Sequence, residues 1–392
     1  MTNVPGHIII PSTGAELLRP ELARAFQNAG CRVSLVDPAA LHNPAHPGRL
    51  SELLDGEPAL LFSVNFQGLN PLKPALEILE KARSSAAVWF VDNPWNVLAG
   101  VRDPRWKNLS LFVTDASFIA PLKMHGALKV YHLPLAAEPA LFAPDAIRNT
   151  RYPAPDNLAP FVFVGRSAFP GRDVFFAGQE VPDDLRLKAE AMLHRAERPD
   201  LSWWEEALGL GQGVCWPGKK ARLPAYGAET ANLTWRGMCL EAAAEAGAWS
   251  GTGLDVFGDQ GWRAHLPPGA RLRPPVDYYT RLPPIYAAAR FVICMTSLQL
   301  PQGLNQRHFD VWMAGSICLT DKTPGLALFP DELTRAVAFS SPRNIGLAAE
   351  QLDQAHNRSG LIMAWQEHIR EHHTYVHRVN TVLDRVSEDR SP

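Results

Sequence analysis

A short run near residue 300 combines residue types that suit a phosphorylated ligand. The run "QGLNQRHFD" covers residues 302–310 and contains Gly303, Asn305, Arg307 and Asp310. A helix beginning after Gly303 would present backbone N–H groups to a diphosphate, and a glycine lets the phosphates approach closely. Arg307 is a permanent cation that could reach a phosphate. Asp310, two turns on, could accept both hydroxyls of a ribose. The spacing therefore predicts a nucleotide-binding segment.

The same residues also admit structural interpretations. Arg307 and Asp310 stand three positions apart and could form a surface ion pair on one helix face, which stabilises a helix only slightly. Asn305 could cap the helix or bind phosphate, and the sequence does not separate these roles. Leu304 completes the segment predicted to bind the ligand.

A second glycine-containing loop, "GRSAFPGRD", follows an apolar run at 161–164. Gly165 would let this loop approach the diphosphate, and either Arg166 or Arg172 could neutralise and stabilise its charge. The alternative is a solvated loop charge. Farther on, "GDQGW" supplies Gly258 and Trp262. The indole could stack on a nucleotide base or fill the domain core.

Polar residues also follow several strand-like runs in the first part of the chain. They are Thr13, Asn65, Asp92, Asn93 and Asp115. Because the carboxyl ends of parallel strands meet at one edge of a sheet, we expect these residues on a ligand-facing edge. Asp92 is the candidate for a catalytic or substrate-binding carboxylate. Each of the five could instead cap a helix.

The elements that must position these residues alternate between strand and helix patterns. Apolar runs such as "HIIIPST" and "AAVWFVDNP" are separated by amphipathic segments such as "PALEILEKARSS". This alternation predicts βαβ units and parallel sheets. The polar, proline-rich stretch 140–160 predicts a linker, and a second strand–helix series follows it. We predict Rossmann-like domains at 1–150 and 151–355, a helix at 356–392, and a ligand site in the cleft between the domains.

Composition excludes several classes of protein. The chain has 392 residues, 46% of them hydrophobic, and a formal net charge of -2, so no global charge favours nucleic acid or an anionic membrane. Its five cysteines are odd in number and form no CxxC, which indicates reduced, buried thiols. No signal-peptide pattern and no membrane-length apolar window occurs. We expect a soluble, cytoplasmic protein without an integral membrane segment.

Four histidines near the end of the chain raise the question of a metal. His368, His372, His373 and His377 include i,i+4 pairs that could bind zinc. They do not share one helix face, and no cysteine or acid joins them in the sequence. Packing is therefore the favoured role, with Tyr375 and Arg378 expected at contacts between the domains.

Several segments together resemble the CgeB-like, spore-maturation-protein-like glycosyltransferases. In chain order they are "FVFVG", "DVFGDQGW", "LPPIYAAARFVICMTS", "GLNQRHFDVWMAGSICLTD" and "EHHTYVHRV". The stretches "VWFVDNPW" and "VYHLPLAAEPALFAP" are similar to the domain that precedes the transferase domain in bacterial members, some of which modify flagellin or surface polysaccharide. The resemblance is strongest over 285–380 and weakest over 180–230.

The resemblance implies a GT-B fold, in which two Rossmann-like domains face a cleft and a C-terminal helix crosses back to the first domain. It places the nucleotide-sugar mainly on the second domain and the acceptor beside the first. Val276 and Tyr278 match positions that flank the base in relatives. No metal or other cofactor is implied, and no Asp-x-Asp occurs here.

One position departs from the family pattern. Many retaining GT-B enzymes carry Glu-x7-Glu, and Asp310 matches the second acid by position, whereas Gln302 replaces the first. The first acid often touches the donor sugar, so the choice of donor does not carry over.

The leading hypothesis is a metal-independent glycosyltransferase that moves a sugar from a nucleotide diphosphate to a hydroxyl, with retention. The acceptor is expected to be a protein, such as flagellin, or a glycan. Two alternatives stay open. One is a sugar-nucleotide epimerase of the same fold, and the other is an inactive binding scaffold, which the departure at Gln302 keeps open.

Overall fold

Parallel strands form two separate sheets, one in each of two compact units. The computed structural model describes residues 5–14, 16–41, 49–54, 57–210, 218–354 and 358–390. The first unit holds the described residues of 1–135, 210–222 and 375–392, and the second holds those of 136–209 and 223–374.

The strands of the first sheet are β1 His7–Pro11, β2 Arg32–Val36, β3 Ala59–Val64, β4 Ser85–Phe90, β5 Ser110–Val113 and β6 Lys129–His132. Those of the second sheet are β7 Phe161–Val164, β8 Leu254–Phe257, β9 Ala270–Arg273, β10 Phe291–Cys294, β11 Ile317–Asp321 and β12 Ala338–Phe339.

The α-helices, in chain order, are α1 Arg19–Asn28, α2 Pro38–Leu41, α3 Arg49–Leu54, α4 Leu72–Lys81, α5 Pro94–Leu98, α6 Ile119–Met124, α7 Pro139–Phe142, α8 Pro144–Arg148, α9 Arg172–Phe175, α10 Asp183–His194, α11 Leu201–Ala207, α12 Arg222–Ala246, α13 Leu282–Ala288, α14 Arg307–Met313, α15 Asp331–Thr334, α16 Ile345–Gln354, α17 Arg358–His372 and α18 Tyr375–Arg390.

The central strands are apolar and covered on both faces. Ile8–Ile10 and Leu60–Phe62 in the first sheet, and Val292–Cys294 and Ile317–Leu319 in the second, have no exposed surface. Such continuous apolar runs are typical of parallel sheets covered by helices on both sides. Helices connect the strands, so each unit is a Rossmann-like α/β layer structure.

The strand order of each sheet contains one switch point, where the direction in which successive strands are added reverses. The first sheet runs β2-β1-β3-β4-β5-β6 and the second runs β12-β11-β10-β7-β8-β9. The order reverses between β1 and β3 in the first sheet and between β7 and β10 in the second. Ligands of open parallel sheets bind outside the carboxyl ends of the strands at such a switch point.

The last helix of the chain belongs to the first unit. Helix α18 packs against α1, and its Asp389 accepts hydrogen bonds from Ser110 Oγ at 2.5 Å and Tyr131 Oη at 2.8 Å. Two Rossmann-like units and a last helix returning to the first unit are the components of a GT-B fold. The predicted α/β class is therefore confirmed.

The proline-rich stretch 140–160, predicted as a linker, contains parts of two short helices within the second unit. Pro139 and Pro144 occupy the first positions of α7 and α8. Proline is favourable there because the first N–H groups of a helix have no intrahelical partner. Pro144 therefore starts a helix inside the stretch that was predicted as a linker.

Four cysteines of the described residues, Cys31, Cys239, Cys294 and Cys318, are free and buried as predicted, and Cys215 lies outside the described residues. In the described part of the chain, no helix is both long enough and apolar enough to cross a membrane.

Candidate functional site

Arg307 lies at the switch point of the second sheet. Its Nη1 donates to the carbonyl of Val164, the last residue of β7, at 2.8 Å. Its guanidinium lies 5.5 Å from the centre of the Phe163 ring. Its Nε is buried and has no acceptor among the described residues. A buried donor without an acceptor is uncommon in proteins, and a bound anion would satisfy it.

Gly165 has no room for a side chain. A Cβ there would lie 2.9 Å from Cζ of Phe163 and 3.4 Å from Nη1 of Arg307. The first contact is too short for any larger residue without a shift of the Phe163 ring. The glycine of the "GRSAFPGRD" loop therefore lets Arg307 reach the end of β7.

The run 302–306 is a loop, and the helix predicted to begin near Gly303 begins at Arg307. Gly303 is buried and its N–H donates to the carbonyl of Leu300 at 3.2 Å. Leu304 is buried in the core. Gln302 is exposed. Helix α14 is thus too short and starts too late to present amides at Gly303.

Asn305 supports the start of α14, which is the capping alternative left open by the sequence. Its Oδ1 accepts from the backbone N–H of Arg307 at 3.1 Å, and its Nδ2 donates to the carbonyl of Met295 at 2.8 Å. Both bonds tie Arg307 to the carboxyl end of β10. The side chain of Asn305 therefore positions Arg307.

Asp310 is buried on the next turn of α14, 1% exposed. Its carboxylate accepts from Tyr278 Oη at 2.7 Å and from Gln306 Nε2 at 2.9 Å. Arg307 and Asp310 thus face different partners. The structure brings the two predicted residues Tyr278 and Asp310 together, with Val276 half-buried nearby in sequence. The ribose role of Asp310 stays a prediction.

Trp262 belongs to the core. The residue is fully buried, its Nε1 donates to the carbonyl of Gly165 at 2.8 Å, and its ring packs edge-on against Phe163. A Cβ on Gly258 would lie 2.5 Å from the indole. The stacking interpretation of Trp262 is therefore replaced by the packing one, and Gly258 makes room for the indole.

Two arginines of the predicted loop occupy different settings. Arg166 is exposed. Arg172 begins α9 and is half-buried, with Nη1 3.2 Å from Asp173 Oδ1 and its guanidinium 5.4 Å from the Tyr226 ring centre. Both are on the segment that follows β7. Their contact with phosphate stays a prediction.

Sequence reasoning missed Arg236, on α12. Its Nη1 and Nη2 donate to the carbonyls of Arg166 and Ser167 at 2.9 and 3.0 Å. Burial lowers the pKa of its guanidinium, the carboxylate of Glu229 opposes this, and the charge of Arg307 lowers it further. Arg236 therefore brings another cation to the carboxyl end of β7. No motif marks it, because it lies within a long helix.

A carboxylate fixes the other side of this loop. Asp259 accepts from the N–H and the Oγ of Ser167 at 2.9 and 2.6 Å, and from the N–H of Gly261 at 2.9 Å. Burial opposes ionisation of Asp259, but these hydrogen bonds outweigh it and lower its pKa. Asp259 is thus an ionised anchor for Ser167.

A buried polar network connects His308 of α14 with the ends of β10 and β11. His308 contacts Thr320 Oγ1 at 2.7 Å through Nε2. Burial lowers its pKa to about 4, so the imidazole is neutral at neutral pH. Asp321 accepts from Thr296 and Trp235 and pairs with Arg198. This network fixes the ends of β10 and β11.

The candidates of the first unit divide into exposed and capping residues. Asp92 is exposed, and its Oδ2 accepts from Asn65 Nδ2 at 2.7 Å. Asn93 caps α5 through Trp95 N–H, and Asp115 is buried and caps the turn Ala116–Phe118. The capping alternative therefore describes Asn93 and Asp115, while Asn65 and Asp92 form a hydrogen-bonded pair beyond β3 and β4.

Sequence reasoning also missed Glu16, beside the switch point of the first sheet. Its carboxylate accepts from Thr13 N–H at 2.9 Å and from Gln67 Nε2 at 2.5 Å. Burial opposes ionisation, but the bonds from Gln67 and Thr13 lower its pKa to about 2. Thr13 itself is exposed. Glu16 is ionised across the physiological range.

Two of the four histidines near the C-terminus, His368 and His373, have packing contacts, whereas His372 is exposed. The rings of His368 and His373 are 5.1 Å apart, and His373 lies 5.1 Å from Phe329. Within the described ranges, no group of three or more His, Cys, Asp or Glu side chains is arranged to hold a metal ion. Arg378, in turn, donates to the carbonyls of Pro134 and Leu135 within the first unit.

Residues 236–384 match the model of a family described as glycosyl transferase-like. No curated protein shows significant similarity to the chain. The matched segment includes Arg236, Trp262, Tyr278, Arg307 and Asp310, so most of the site in the second unit lies inside it.

Solved structures with similar folds include the following three proteins. A UDP-forming α,α-trehalose-phosphate synthase from Burkholderia xenovorans is 11% identical, with 99% of this chain and 100% of that chain covered and a TM-score of 0.48. Anabaena HepE in complex with UDP is 10% identical, with 97% and 99% covered and a TM-score of 0.47. The β-glucosyltransferase of phage T4 is 9% identical, with 97% of each chain covered and a TM-score of 0.45.

Proposed function

We propose that this chain is a glycosyltransferase that takes its sugar from a nucleotide-diphosphate donor bound to the second unit. The observation that carries the proposal is the guanidinium of Arg307 at the switch point between β7 and β10, with its buried Nε lacking an acceptor in the described structure. A diphosphate oxygen would accept from that group. The match of residues 236–384 to a glycosyl transferase-like family supports the same assignment.

The leaving diphosphate sets the chemical demand. When the bond from the anomeric carbon to the phosphate oxygen breaks, negative charge grows on that oxygen. Fixed guanidinium groups stabilise this charge, since they are already oriented before reaction. Arg307 and Arg236 are held by backbone carbonyls. Arg166 lies on the loop that Arg236 holds, and Arg172 begins α9 after that loop. The proposed catalysis needs no metal ion.

The acceptor is assigned to the first unit. Its hydroxyl would meet Asp92, which is exposed and paired with Asn65. A carboxylate there would orient the acceptor hydroxyl by accepting a hydrogen bond from it. We propose a protein or glycan acceptor and retention of the anomeric configuration, as the resemblance implies. Proton NMR of the anomeric signal in the product tests the stereochemistry.

Titration with nucleoside diphosphates tests the proposal directly. We expect one of UDP, GDP, ADP or dTDP to bind with a micromolar Kd, as measured by calorimetry, and the Arg307→Met variant to lose that binding. If the wild-type protein binds none of them, the proposal is wrong.

The same samples separate the two alternatives. An epimerase would convert a bound nucleotide-sugar into a stereoisomer without an acceptor, which NMR of the recovered donor would reveal. A scaffold would bind the nucleotide-sugar and leave it unchanged with every acceptor. Transfer of the sugar to an acceptor hydroxyl, observed by mass spectrometry, distinguishes the transferase from both.

A further inference from the structure

The loop after β7 is held by side chains at four consecutive carbonyls. Val164 accepts from Arg307, Gly165 accepts from Trp262, and both Arg166 and Ser167 accept from Arg236. A phosphate-binding loop of the usual kind turns its amides toward the ligand. Here the side chains of the surrounding elements fix the carbonyl side of the loop.

Two amides of the same loop are already used inside the unit. The N–H of Gly165 donates to Phe257 of β8 at 3.0 Å, and the N–H of Ser167 donates to Asp259 at 2.9 Å. An anion at this loop would therefore meet guanidinium groups rather than the amides of Gly165 and Ser167.

Arg236 contacts the loop directly, and the charges of neighbouring side chains act on its guanidinium. Its two terminal nitrogens donate to two neighbouring carbonyls, and the planar guanidinium fork presents these donors in a fixed orientation. The positive charges of Arg307 and Arg172 both act on it. The carboxylates of Glu229 and Asp259 offset part of this repulsion, and a ligand of high negative charge would be attracted to the arginines.

We propose that Arg236 is a positioning residue for the diphosphate of the donor, acting through the loop 165–167. Its two bonds fix the backbone that carries Arg166 and that meets Arg307 at Val164. This proposal rests on the proposed function for the nature of the ligand. It adds that the site selects a diphosphate over a single phosphate, and that the geometry of Arg236 is required in addition to its charge.

Inorganic pyrophosphate and inorganic phosphate are the probes, titrated by calorimetry into the full-length protein. We expect wild-type protein to bind pyrophosphate at least tenfold more tightly than phosphate. Arg236→Lys keeps the charge but replaces the rigid fork of two nitrogens with a single nitrogen, and Arg236→Met removes the charge as well. Both should weaken pyrophosphate binding about tenfold or more. Arg186→Met is the matched control, because Arg186 is on α10 and pairs with Asp183 and Glu190; it should leave binding unchanged.

Asp259→Asn separates positioning from charge. Removing a negative charge near an anion site should tighten binding if long-range electrostatics alone operates. A positioning role predicts weaker binding, since Ser167 loses its ionised anchor. Thermal unfolding confirms that each variant is folded, and Asp259→Asn keeps the test valid if the Arg236 variants unfold.

Four outcomes would overturn the inference: no pyrophosphate binding by wild type, wild-type affinity in Arg236→Lys, equal affinity for phosphate and pyrophosphate, or tighter binding in Asp259→Asn. A wild-type protein that binds pyrophosphate but no nucleoside diphosphate would overturn the proposed function instead, and leave the role of Arg236 in place.

Discussion

Each switch point has an arginine that donates to the last carbonyl of a strand, Arg307 to Val164 and Arg19 to Pro11. In the first sheet, however, that arginine shares the amide of Gln67 with the carboxylate of Glu16. In the second unit, Arg307 and Arg236 hold the end of β7 and the loop beyond it. In the first unit, Glu16 and Gln67 hydrogen-bond to one another beside the ends of β1 and β3. Both sheets are six-stranded, parallel and reversed once.

The comparison indicates that the fold determines where a ligand binds, whereas the side chains at that point determine which ligand binds. Guanidinium groups match a diphosphate in charge and geometry. Carboxylate and amide oxygens are suited to neutral hydroxyl groups, which donate hydrogen bonds to them. Similar sheets can therefore bind the donor in one unit and a hydroxyl acceptor in the other. Each prediction below tests one side of this comparison.

The largest effect is expected at Arg307. Arg307→Met removes a cation and its hydrogen bonds. The free energy of binding the nucleoside diphosphate should therefore weaken by about 1.5–3 kcal/mol, which raises Kd roughly ten- to hundredfold. Calorimetry measures this loss, and Arg186→Met provides a folded control. An unchanged Kd would show that the second switch point does not bind the diphosphate.

Asp92→Asn should affect the acceptor in the first unit and leave binding of the nucleoside diphosphate by the second unit unchanged. The substitution keeps the size of the side chain but removes the charge that orients an acceptor hydroxyl. We expect a loss of transition-state stabilisation of about 1–2 kcal/mol, measured as a lower kcat/KM for the acceptor. The Kd of the nucleoside diphosphate should be unchanged. Steady-state kinetics and calorimetry measure the two quantities.

The control for Asp92 is its neighbour Asn93. Asn93→Ser preserves a side-chain oxygen that can cap α5, so turnover should stay near the wild-type value. Equal losses in both variants would indicate that the loop after β4 acts through stability and not through Asp92.

Periodicity predicted the strands and helices that carry both switch points, because buried parallel strands are continuous apolar runs. The sequence predicted Asp92 and Asn65 on the same edge of one sheet, and it predicted Gly165 and Arg307 in two separate segments that both reach the diphosphate. The start of α14 was misplaced, since Gly303 resembles a helix start but is buried in the preceding loop. A glycine alone does not distinguish a turn from a helix N-terminus.

Arg236 and Trp262 show what the sequence does not contain. Arg236 meets Arg166 across 70 positions of the chain, and no local pattern specifies that contact. Trp262 beside Gly258 is compatible with a stacking ring or a core ring, and only its complete burial decides. Both answers depend on how α12 and the loop after β8 pack on β7.

A smaller effect is expected from Asp310, which the sequence assigns to the ribose. Asp310→Asn should reduce the preference for a ribonucleoside over a 2′-deoxyribonucleoside diphosphate by about 1 kcal/mol. Tyr278→Phe removes the hydroxyl that donates to the carboxylate at 2.7 Å but leaves the charge, so it should preserve the preference. Paired titrations of both nucleotides measure the preference. If neither variant changes the preference, Asp310 has a structural role and does not contact the ribose.

The smallest effect concerns the charge of Glu16, which sharpens the contrast between the units. Hydrogen bonds from Gln67 and Thr13 lower its pKa from 4.5 to about 2. As pH falls, the Glu16 carboxylate is therefore protonated at a higher pH in the unfolded chain than in the folded protein. The charge should therefore stabilise the fold above about pH 4.5, and this contribution should disappear towards pH 2. Because Glu16 is only half-buried, we expect Glu16→Gln to lower the free energy of unfolding by about 1 kcal/mol or less at pH 7. Urea unfolding of both proteins between pH 7 and pH 3 should show this difference shrinking on acidification. A difference that stays constant over that range would mean that the shape of the Glu16 side chain, and not its charge, supports the first switch point.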